Sequence, residues 1–323
     1  LPPETNVPEE ASVGRRPPSG TSRGIVLEAL GGVYKVLFEE SGQIEEAFLR
    51  GRLKLQHRTG DRIVAGDRVR VDLSEDGAWM VEEVSSRTSQ LVRAGPSGHR
   101  PKVVAANLDR VVVVVSASHP SFRREQVDRF LALVESCALE ALLIVNKSDL
   151  SPDLNALQAD LAVYRRIGYA VLLASAETGE GLDDLVAALG SGISALIGPS
   201  GVGKSSLLNA LAPGLDLRVG EVGARFGSGR HTTVGARLLL LPGVGKVVDT
   251  PGFSDVNLWG VDPSFLPHAF REFVPLSAEC RFRGCSHLHE PDCRIQDAVR
   301  TGEIDAGRFE SYVSLSTGSG FVP

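Results

Sequence analysis

The stretch Gly198-Pro199-Ser200-Gly201-Val202-Gly203-Lys204-Ser205-Ser206 places a lysine and two serines directly behind a glycine-rich turn. It matches GxxxxGK[ST], with the apolar run SALI before it and the helical pattern SSLLNAL after it. Glycines leave room for successive backbone N–H groups to wrap an anion, and the N-terminus of the following helix adds a favourable dipole. The chemistry expected is phosphate binding. Lys204 is placed to reach the β- and γ-phosphates of a nucleotide and so to take part in catalysis, and Ser205 to hold Mg²⁺.

A phosphate loop does not choose its base. That choice falls to Asn146-Lys147-Ser148-Asp149, which ends the apolar run ALLIV. Open sheets bind ligands at the carboxyl ends of their strands. An aspartate there accepts from both N1–H and the exocyclic amine of guanine, whereas adenine offers no donor at N1. Asp149 is the base reader; Asn146 can bond N7 or brace the pocket, and the Lys147 stem can cover the ring. The next apolar run, AVLLAS, ends in Ser175-Ala176, a turn whose backbone N–H can meet the guanine oxygen.

Two further segments complete a nucleotide site. KVVDTPGF at 246–253 puts Asp249 at a strand end, where it can reach Mg²⁺ through water, and Gly252 where its N–H can meet the γ-phosphate. Between the phosphate loop and this strand lies RFGSGRHTTVGARLLLL, a Gly- and Ser-rich segment that reads as a mobile loop. Thr232 and Thr233 are both candidates for a switch threonine on Mg²⁺, with Thr233 slightly favoured. The position after DxxG, where many GTPases orient the attacking water with glutamine, holds Phe253. His231 is the nearest replacement. Slow intrinsic GTP hydrolysis follows, to be raised by a partner that orders the switches.

Of four cysteines, three fall in CRFRGCSHLHEPDC, giving Cys280-x4-Cys285 and then Cys293, with His287 and His289 between. Three thiolates and one imidazole make a closed structural Zn²⁺ site, one per chain, with no open position for catalysis. Arg281, Arg283 and Arg294 surround it. The fourth cysteine, Cys137, lies in the helical pattern FLALVESCALEALL and reads as a buried core thiol. Such usage points to a reducing compartment and not to a disulfide framework.

These motifs need elements to position them. Residues 95–259 alternate apolar runs (RVVVVVSA, ALLIVN, AVLLAS, SALIG) with helical patterns, the signature of a largely parallel sheet buried on both faces in an α/β domain. Residues 23–94 hold five short strand-like runs with Gly and Asp turns, a pattern that suits an OB-fold barrel and is shared by small sandwiches. Residues 260–323 carry the cysteine cluster and two short helical patterns around Gly302, a core small enough to need a metal. Residues 1–22, rich in Pro, Glu, Gly and Ser, read as a disordered tail with no apolar targeting segment. With 323 residues, 42% hydrophobic content and a formal charge of −6, the chain reads as a soluble, multidomain protein. The charge argues against indiscriminate nucleic-acid binding while allowing a local basic face.

NKSDL, GPSGVGKSSLLNAL, GRHTT, DTPGF and CRFRGCSH…EPDC, in that order, resemble the RsgA/YjeQ family, circularly permuted GTPases that depend on the small ribosomal subunit. The likeness spans residue 23 to about residue 310. It implies an N-terminal OB-fold β-barrel, a central permuted P-loop GTPase domain and a C-terminal zinc-binding domain with short helices. It also implies GTP/GDP with Mg²⁺ as ligands and the small ribosomal subunit and its rRNA as partners. The role implied is that of a cytoplasmic, monomeric checkpoint and release factor in late subunit maturation, with no membrane contact. The family assigns zinc to Cys280, Cys285, His287 and Cys293, places a hydrophobic residue at the position of Phe253, and proposes the histidine matching His231 as catalytic. Two other readings remain open on the residues alone: a GTP-dependent assembly or trafficking switch for a protein partner, and a non-hydrolysing RNA-binding scaffold. Intact Lys204, Ser205 and Asp249 count against the scaffold.

Overall fold

The computed structural model describes residues 20–50, 62–93, 101–214, 235–250 and 263–317. The first strands are β1 (Thr21–Leu30), β2 (Val33–Phe38), β3 (Ile44–Leu49), β4 (Arg68–Leu73) and β5 (Trp79–Val84). They close into a barrel in the order β1-β2-β3-β5-β4, with β4 back on β1 and β3 parallel to β5. This is the OB-like barrel anticipated from the run of short strands. Period-2 alternation points Val26, Val36, Phe38, Ala47, Val71, Trp79 and Val81 into its interior. Phe38 meets Trp79 edge-on, with ring centroids 4.8 Å apart. Register shifts in β1 and β4 provide the local bends that closure requires.

One strand of the barrel is buried on both sides. Val26 faces the barrel interior, while Ile25 and Leu27 join the core of the neighbouring α/β unit. A hairpin of β6 (Gln90–Arg93) and β7 (Lys102–Ala106) leads across. The buried Asp67 carboxylate anchors the join: it takes both Arg87 Nε at 2.8 Å and Arg87 Nη2 at 2.9 Å. Such bidentate pairing fixes orientation as well as contact.

Among the described residues the α/β unit has six strands. They are β8 (Arg110–Ser116), β9 (Glu140–Asn146), β10 (Ala170–Leu173), β11 (Ile193–Ile197), β12 (Arg237–Leu241) and β13 (Gly245–Asp249), in the order β10-β9-β8-β11-β13-β12. All pairings are parallel except β12 with β13. The five parallel strands therefore end at one edge of the sheet. The apolar runs lack alternation because both faces are covered. Val111, Val113 and Val115 of β8 pack under α1 (Arg124–Ser136) and α2 (Leu154–Ile167). Val112 and Val114 pack under α3 (Leu182–Leu189) and α4 (Lys204–Leu211). Cys137, expected as a buried core thiol, caps the end of α1, where it packs against the core but is only partly buried.

The C-terminal residues contain α5 (Arg294–Arg300) and α6 (Ala306–Ser316), the two helices expected around Gly302. Their apolar side chains do not form a separate core. Phe270, Phe273, Cys285, Cys293, Ile295, Tyr312 and Leu315 belong to the core beneath α1 and α2. At this seam Arg308 of α6 is 1% exposed and Asp128 of α1 is 0% exposed. Arg308 Nη1 donates to Asp128 Oδ1 at 2.7 Å, and its Nε and Nη2 donate to the two oxygens of Glu272 at 2.7 and 3.1 Å. Tyr164 of α2 donates its hydroxyl to the same Asp128 oxygen at 2.8 Å. The guanidinium also lies over the Phe270 ring, 4.5 Å from its centroid. Burial disfavours the charge, but Asp128 and Glu272 outweigh it and keep the guanidinium protonated.

Removing one partner of a buried pair leaves the other charge uncompensated. Arg308→Ala should lower the unfolding free energy in urea by about 3–5 kcal/mol, and Arg308→Met combined with Asp128→Leu by much less. A loss below about 1 kcal/mol for the single variant would show that the seam does not rest on this pair.

Candidate functional site

Five strand ends supply the site. β11 leads into the phosphate loop, whose glycines 198, 201 and 203 all take positive φ, at 146°, 79° and 93°. Close approach explains two of them. A Cβ on Gly198 would lie 2.0 Å from Val114 O, and one on Gly203 would lie 2.3 Å from Asn146 Nδ2. The loop therefore nests between β8 and β9, and α4 opens at Lys204 with its first N–H groups facing the loop. Lys204 is buried, and its Nζ donates to Gly198 O at 2.6 Å and Pro199 O at 2.8 Å. Ser205, at the first turn of α4, is also buried. Burial pulls the Lys204 ammonium down to about 8, with Asp249 opposing. Burial in turn raises the Asp249 carboxyl, with Lys204 opposing. The two groups thus interact at the ends of β11 and β13, close together as phosphate and Mg²⁺ binding would require.

The expected base-reading loop lies against the phosphate loop although 48 or more residues separate them in sequence. Asn146 is 1% exposed, and its amide is committed to the protein. Nδ2 donates to Val202 O at 2.8 Å, and Oδ1 accepts the Ala176 N–H at 3.2 Å. Of its two expected roles, bracing the pocket is the one seen. The Ala176 N–H, expected to meet guanine, is turned to Asn146. Ser175 is fully buried, and its Oγ accepts the Thr178 N–H at 3.1 Å, which shapes the turn after β10. Lys147 takes a left-handed φ of 58° and donates its Nζ to Gly201 O at 2.7 Å and to His119 O. Asp149 is exposed beside it and makes no hydrogen bond or ion pair among the described residues. Ser200 is exposed and Val202 buried in the loop, and Ser206 follows in α4. His231, Thr232, Thr233, Gly252 and Phe253 lie outside the described residues.

Two features of the site belong to no sequence motif. Thr250, next to Asp249, is fully buried and donates its hydroxyl to Leu196 O at 2.6 Å, pinning the end of β13 to β11. The loop Ala117–Arg123 also reaches the phosphate loop. A strand-end threonine and a His-Pro turn carry no chemical signature until the strands are placed side by side.

The sulfur and nitrogen ligand atoms of Cys280, Cys285, His287 and Cys293 all lie within 4.8 Å of one another. Cys280 Sγ is 3.6 Å and Cys293 Sγ 3.4 Å from His287 Nδ1. Zn–S bonds of about 2.3 Å and Zn–N bonds of about 2.0 Å set tetrahedrally give S···N edges of about 3.5 Å, so the cluster fits zinc. His287 is buried while His289 is exposed, which separates the two histidines. Burial, then Cys293 and Cys280, push the Cys285 thiol up to about 12, and burial lowers His287. Neighbouring thiolates need a cation to ionise together, and a neutral imidazole is the form that binds one. The Cys3His cluster is thus suited to a structural zinc ion. Burial alone would raise Glu290, but hydrogen bonds from Ser286 and from the backbone hold it down at about 2, and it accepts the N–H groups of Ser286, Leu288 and His289 around His287. Two of the three nearby arginines are neutralised: Arg281 pairs with Asp292 at 2.6 Å, and Arg294 pairs with Glu303 at 2.6 Å and Glu279 at 3.3 Å.

The family model described as RsgA GTPase matches residues 84–259, which hold every expected nucleotide-binding motif. A small ribosomal subunit biogenesis GTPase RsgA from Gemmatimonas aurantiaca is 43% identical over 299 residues, covering 91% of this chain and 96% of that protein. The chain belongs to the RsgA GTPase family. The RsgA of Thermotoga maritima is 39% identical over 295 residues, covering 91% of this chain and 95% of its own. The crystal structure of YjeQ from Thermotoga maritima superposes with a TM-score of 0.77 at 35% identity, covering 92% of this chain and 98% of its own. The structure of YloQ, titled a circularly permuted GTPase, gives 0.73 at 30% identity, covering 98% and 99%. The RsgA architecture explains the order of the motifs, with the base-reading loop before the phosphate loop, and the chain is a GTP-hydrolysing enzyme of this permuted class. Among the described residues, no helix is long and apolar enough to cross a membrane.

Phosphate oxygens favour the ammonium form of Lys204. GDP affinity should therefore be level below about pH 8 and decline above it, with proton uptake on binding seen by calorimetry in buffers of different ionisation enthalpy. An affinity unchanged between about pH 7 and about pH 9 would contradict the burial of this lysine as the source of its shift.

Proposed function

We propose that this chain is a GTP-driven switch acting in late maturation of the small ribosomal subunit, with hydrolysis raised by the subunit itself. The observation that carries the reading is the junction of Asn146 with Val202 O and Ala176 N–H, which assembles base-reading and phosphate-binding loops into one site. The relatives quoted above are named as small ribosomal subunit biogenesis GTPases, which supports the partner. In this reading Asp149 selects guanine, the Lys147 stem covers the ring, and the Ser175-Ala176 turn, braced by Asn146, closes over the base. Gly198 to Ser206 hold the phosphates, and Lys204 stabilises charge on the transferred phosphoryl group. Ser205, Asp249 and Thr233, with Thr232 as the alternative, would hold Mg²⁺ brought with the nucleotide, and the ion would supply positive charge to the phosphates. Gly252 would sense the γ-phosphate, and His231 would orient water in place of the glutamine that Phe253 replaces. Cys280, Cys285, His287 and Cys293 would hold zinc. With divisions at 23–94, 95–259 and 260–323, the barrel and the zinc module would contact RNA, and the unit between them would bind and hydrolyse GTP. The chain would work as a cytoplasmic monomer on rRNA.

Turnover of GTP with and without purified small subunits tests the assignment. A rise of at least about tenfold, equal to about 1.4 kcal/mol of transition-state stabilisation, is expected. Measurable turnover that subunits leave unchanged would favour a protein partner, and absence of turnover in both conditions would favour an RNA-binding scaffold.

Zinc content should be one ion per chain. Cys285→Ser should lower both that content and the unfolding temperature, since a structural zinc is coupled to folding. Full zinc retention in this variant would refute the ligand set.

A further inference from the structure

Ser116 is the last residue of β8, opposite Asn146 in the register of β8 with β9. It is 2% exposed and belongs to none of the nucleotide-binding motifs. Its hydroxyl donates to Pro120 O at 2.6 Å, closing a tight turn over Ala117, Ser118 and His119. The turn is also tied at its start, where Ala117 N–H donates to Asn146 O at 2.9 Å. His119 takes a left-handed φ of 50°, a region in which histidine is over-represented among residues other than glycine. Its carbonyl accepts from Lys147 Nζ, and the same ammonium donates to Gly201 O of the phosphate loop at 2.7 Å. The Pro120 ring completes the contact: a Cβ on Gly201 would lie 3.7 Å from Pro120 Cδ.

These bonds form one chain: Ser116 hydroxyl to Pro120 carbonyl, the turn to the His119 carbonyl, that carbonyl to the Lys147 ammonium, and the ammonium to the phosphate loop. We propose that Ser116 is a positioning residue for nucleotide binding, fixing the turn whose His119 carbonyl holds Lys147 across the guanine site and against the phosphate loop. A lysine side chain has four rotatable bonds and loses them only when its ammonium is held. With two carbonyl acceptors, His119 O and Gly201 O, the ammonium is held at one place beside the phosphate loop. Without the Ser116 hydroxyl, the turn loses its closing bond, the His119 acceptor drifts, and Lys147 is left with the phosphate-loop carbonyl alone. Ser116 acts on retention of the nucleotide and not on the phosphoryl transfer. The proposal rests on the guanine-nucleotide reading of this site.

The test uses the full chain with Mg²⁺ and N-methylanthraniloyl-GDP, chased with unlabelled GDP in a stopped-flow instrument. Ser116→Ala should raise the dissociation rate about 2- to 12-fold, the range for losing one buried hydrogen bond. Ser116→Cys keeps the volume but replaces the hydroxyl with a weak donor, and should match Ser116→Ala. KM for GTP should rise by a similar factor in both variants, with kcat in the presence of small subunits unchanged. In a Lys147→Ala background the same Ser116→Ala change should alter dissociation by less than about twofold, because the relay has already been cut. Wild-type behaviour of Ser116→Cys, or an undiminished effect of Ser116→Ala in the Lys147→Ala background, would overturn the relay and leave Ser116 a packing residue. A wild-type chain that binds labelled ADP as tightly as labelled GDP would fail earlier, and would sink the nucleotide reading together with the proposal.

Discussion

The carboxamide of Asn146 is the constraint on which the nucleotide site depends. Its two ends hold the phosphate loop after β11 and the turn after β10, and its own backbone ends β9. At 1% exposure it has no water to fall back on, so each bond left unmade would cost about 1–3 kcal/mol. The three strand ends are therefore held at one mutual spacing. A hydrogen bond of this kind depends on where groups are in space and not on when they arrive along the chain. That is why the motifs can occur in reversed order. Asn146 joins residues 56 positions ahead of it to residues 30 positions ahead, and the parallel sheet brings all of them to the same edge.

The two faces of that sheet have different occupants. α3 and α4 cover one face, so the helix that opens at the phosphate loop packs against Val112, Val114 and Leu196. The other face is shared by α1, α2, the outer side of β1 and the apolar side chains of the cysteine-bearing C-terminal residues. The Cys3His cluster thus sits on a unit whose apolar side is already supported, so that a bound metal would add to packing in the same small structure. Arg308 fixes its orientation by reaching from α6 to Asp128 of α1. α1 begins directly after the Ser116–Pro120 turn that touches the phosphate loop. Lys147 links that turn to the phosphate loop, and α1 shares its core with Cys285 and Cys293 of the Cys3His cluster.

Much of this was legible in the residues because the signals are local. Unbroken apolar runs marked strands covered on both faces, glycine spacing marked the phosphate loop, and three cysteines with a nearby histidine marked a metal cluster. Five short alternating runs marked the barrel. What could not be read depends on pairings remote in sequence. Arg308 looks like one more helix-surface arginine until Asp128, 180 positions earlier, is placed beside it. Arg281 and Arg294 look like solvated surface cations until Asp292, Glu303 and Glu279 are seen to pair with them. Cys137 carries the period of a core position, yet the helix ends there and leaves it half open. Ser116 and His119 belong to no motif; only the closeness of β8, β9 and the phosphate loop gives them a place.

By itself, the sequence determined the chemistry available: which groups can wrap phosphates, read guanine and ligate zinc, and which runs must be buried to support them. These follow from side-chain type and from periods of a few residues, which a linear string preserves. Tertiary structure decided which of those groups are already spoken for. It turned the Asn146 amide inward as a brace, left Asp149 exposed, chose His287 over His289, and merged the C-terminal residues into the core under α1. The physical reason is that buried polar groups take the partners the fold brings within hydrogen-bond distance, and that distance is not a property of chain separation.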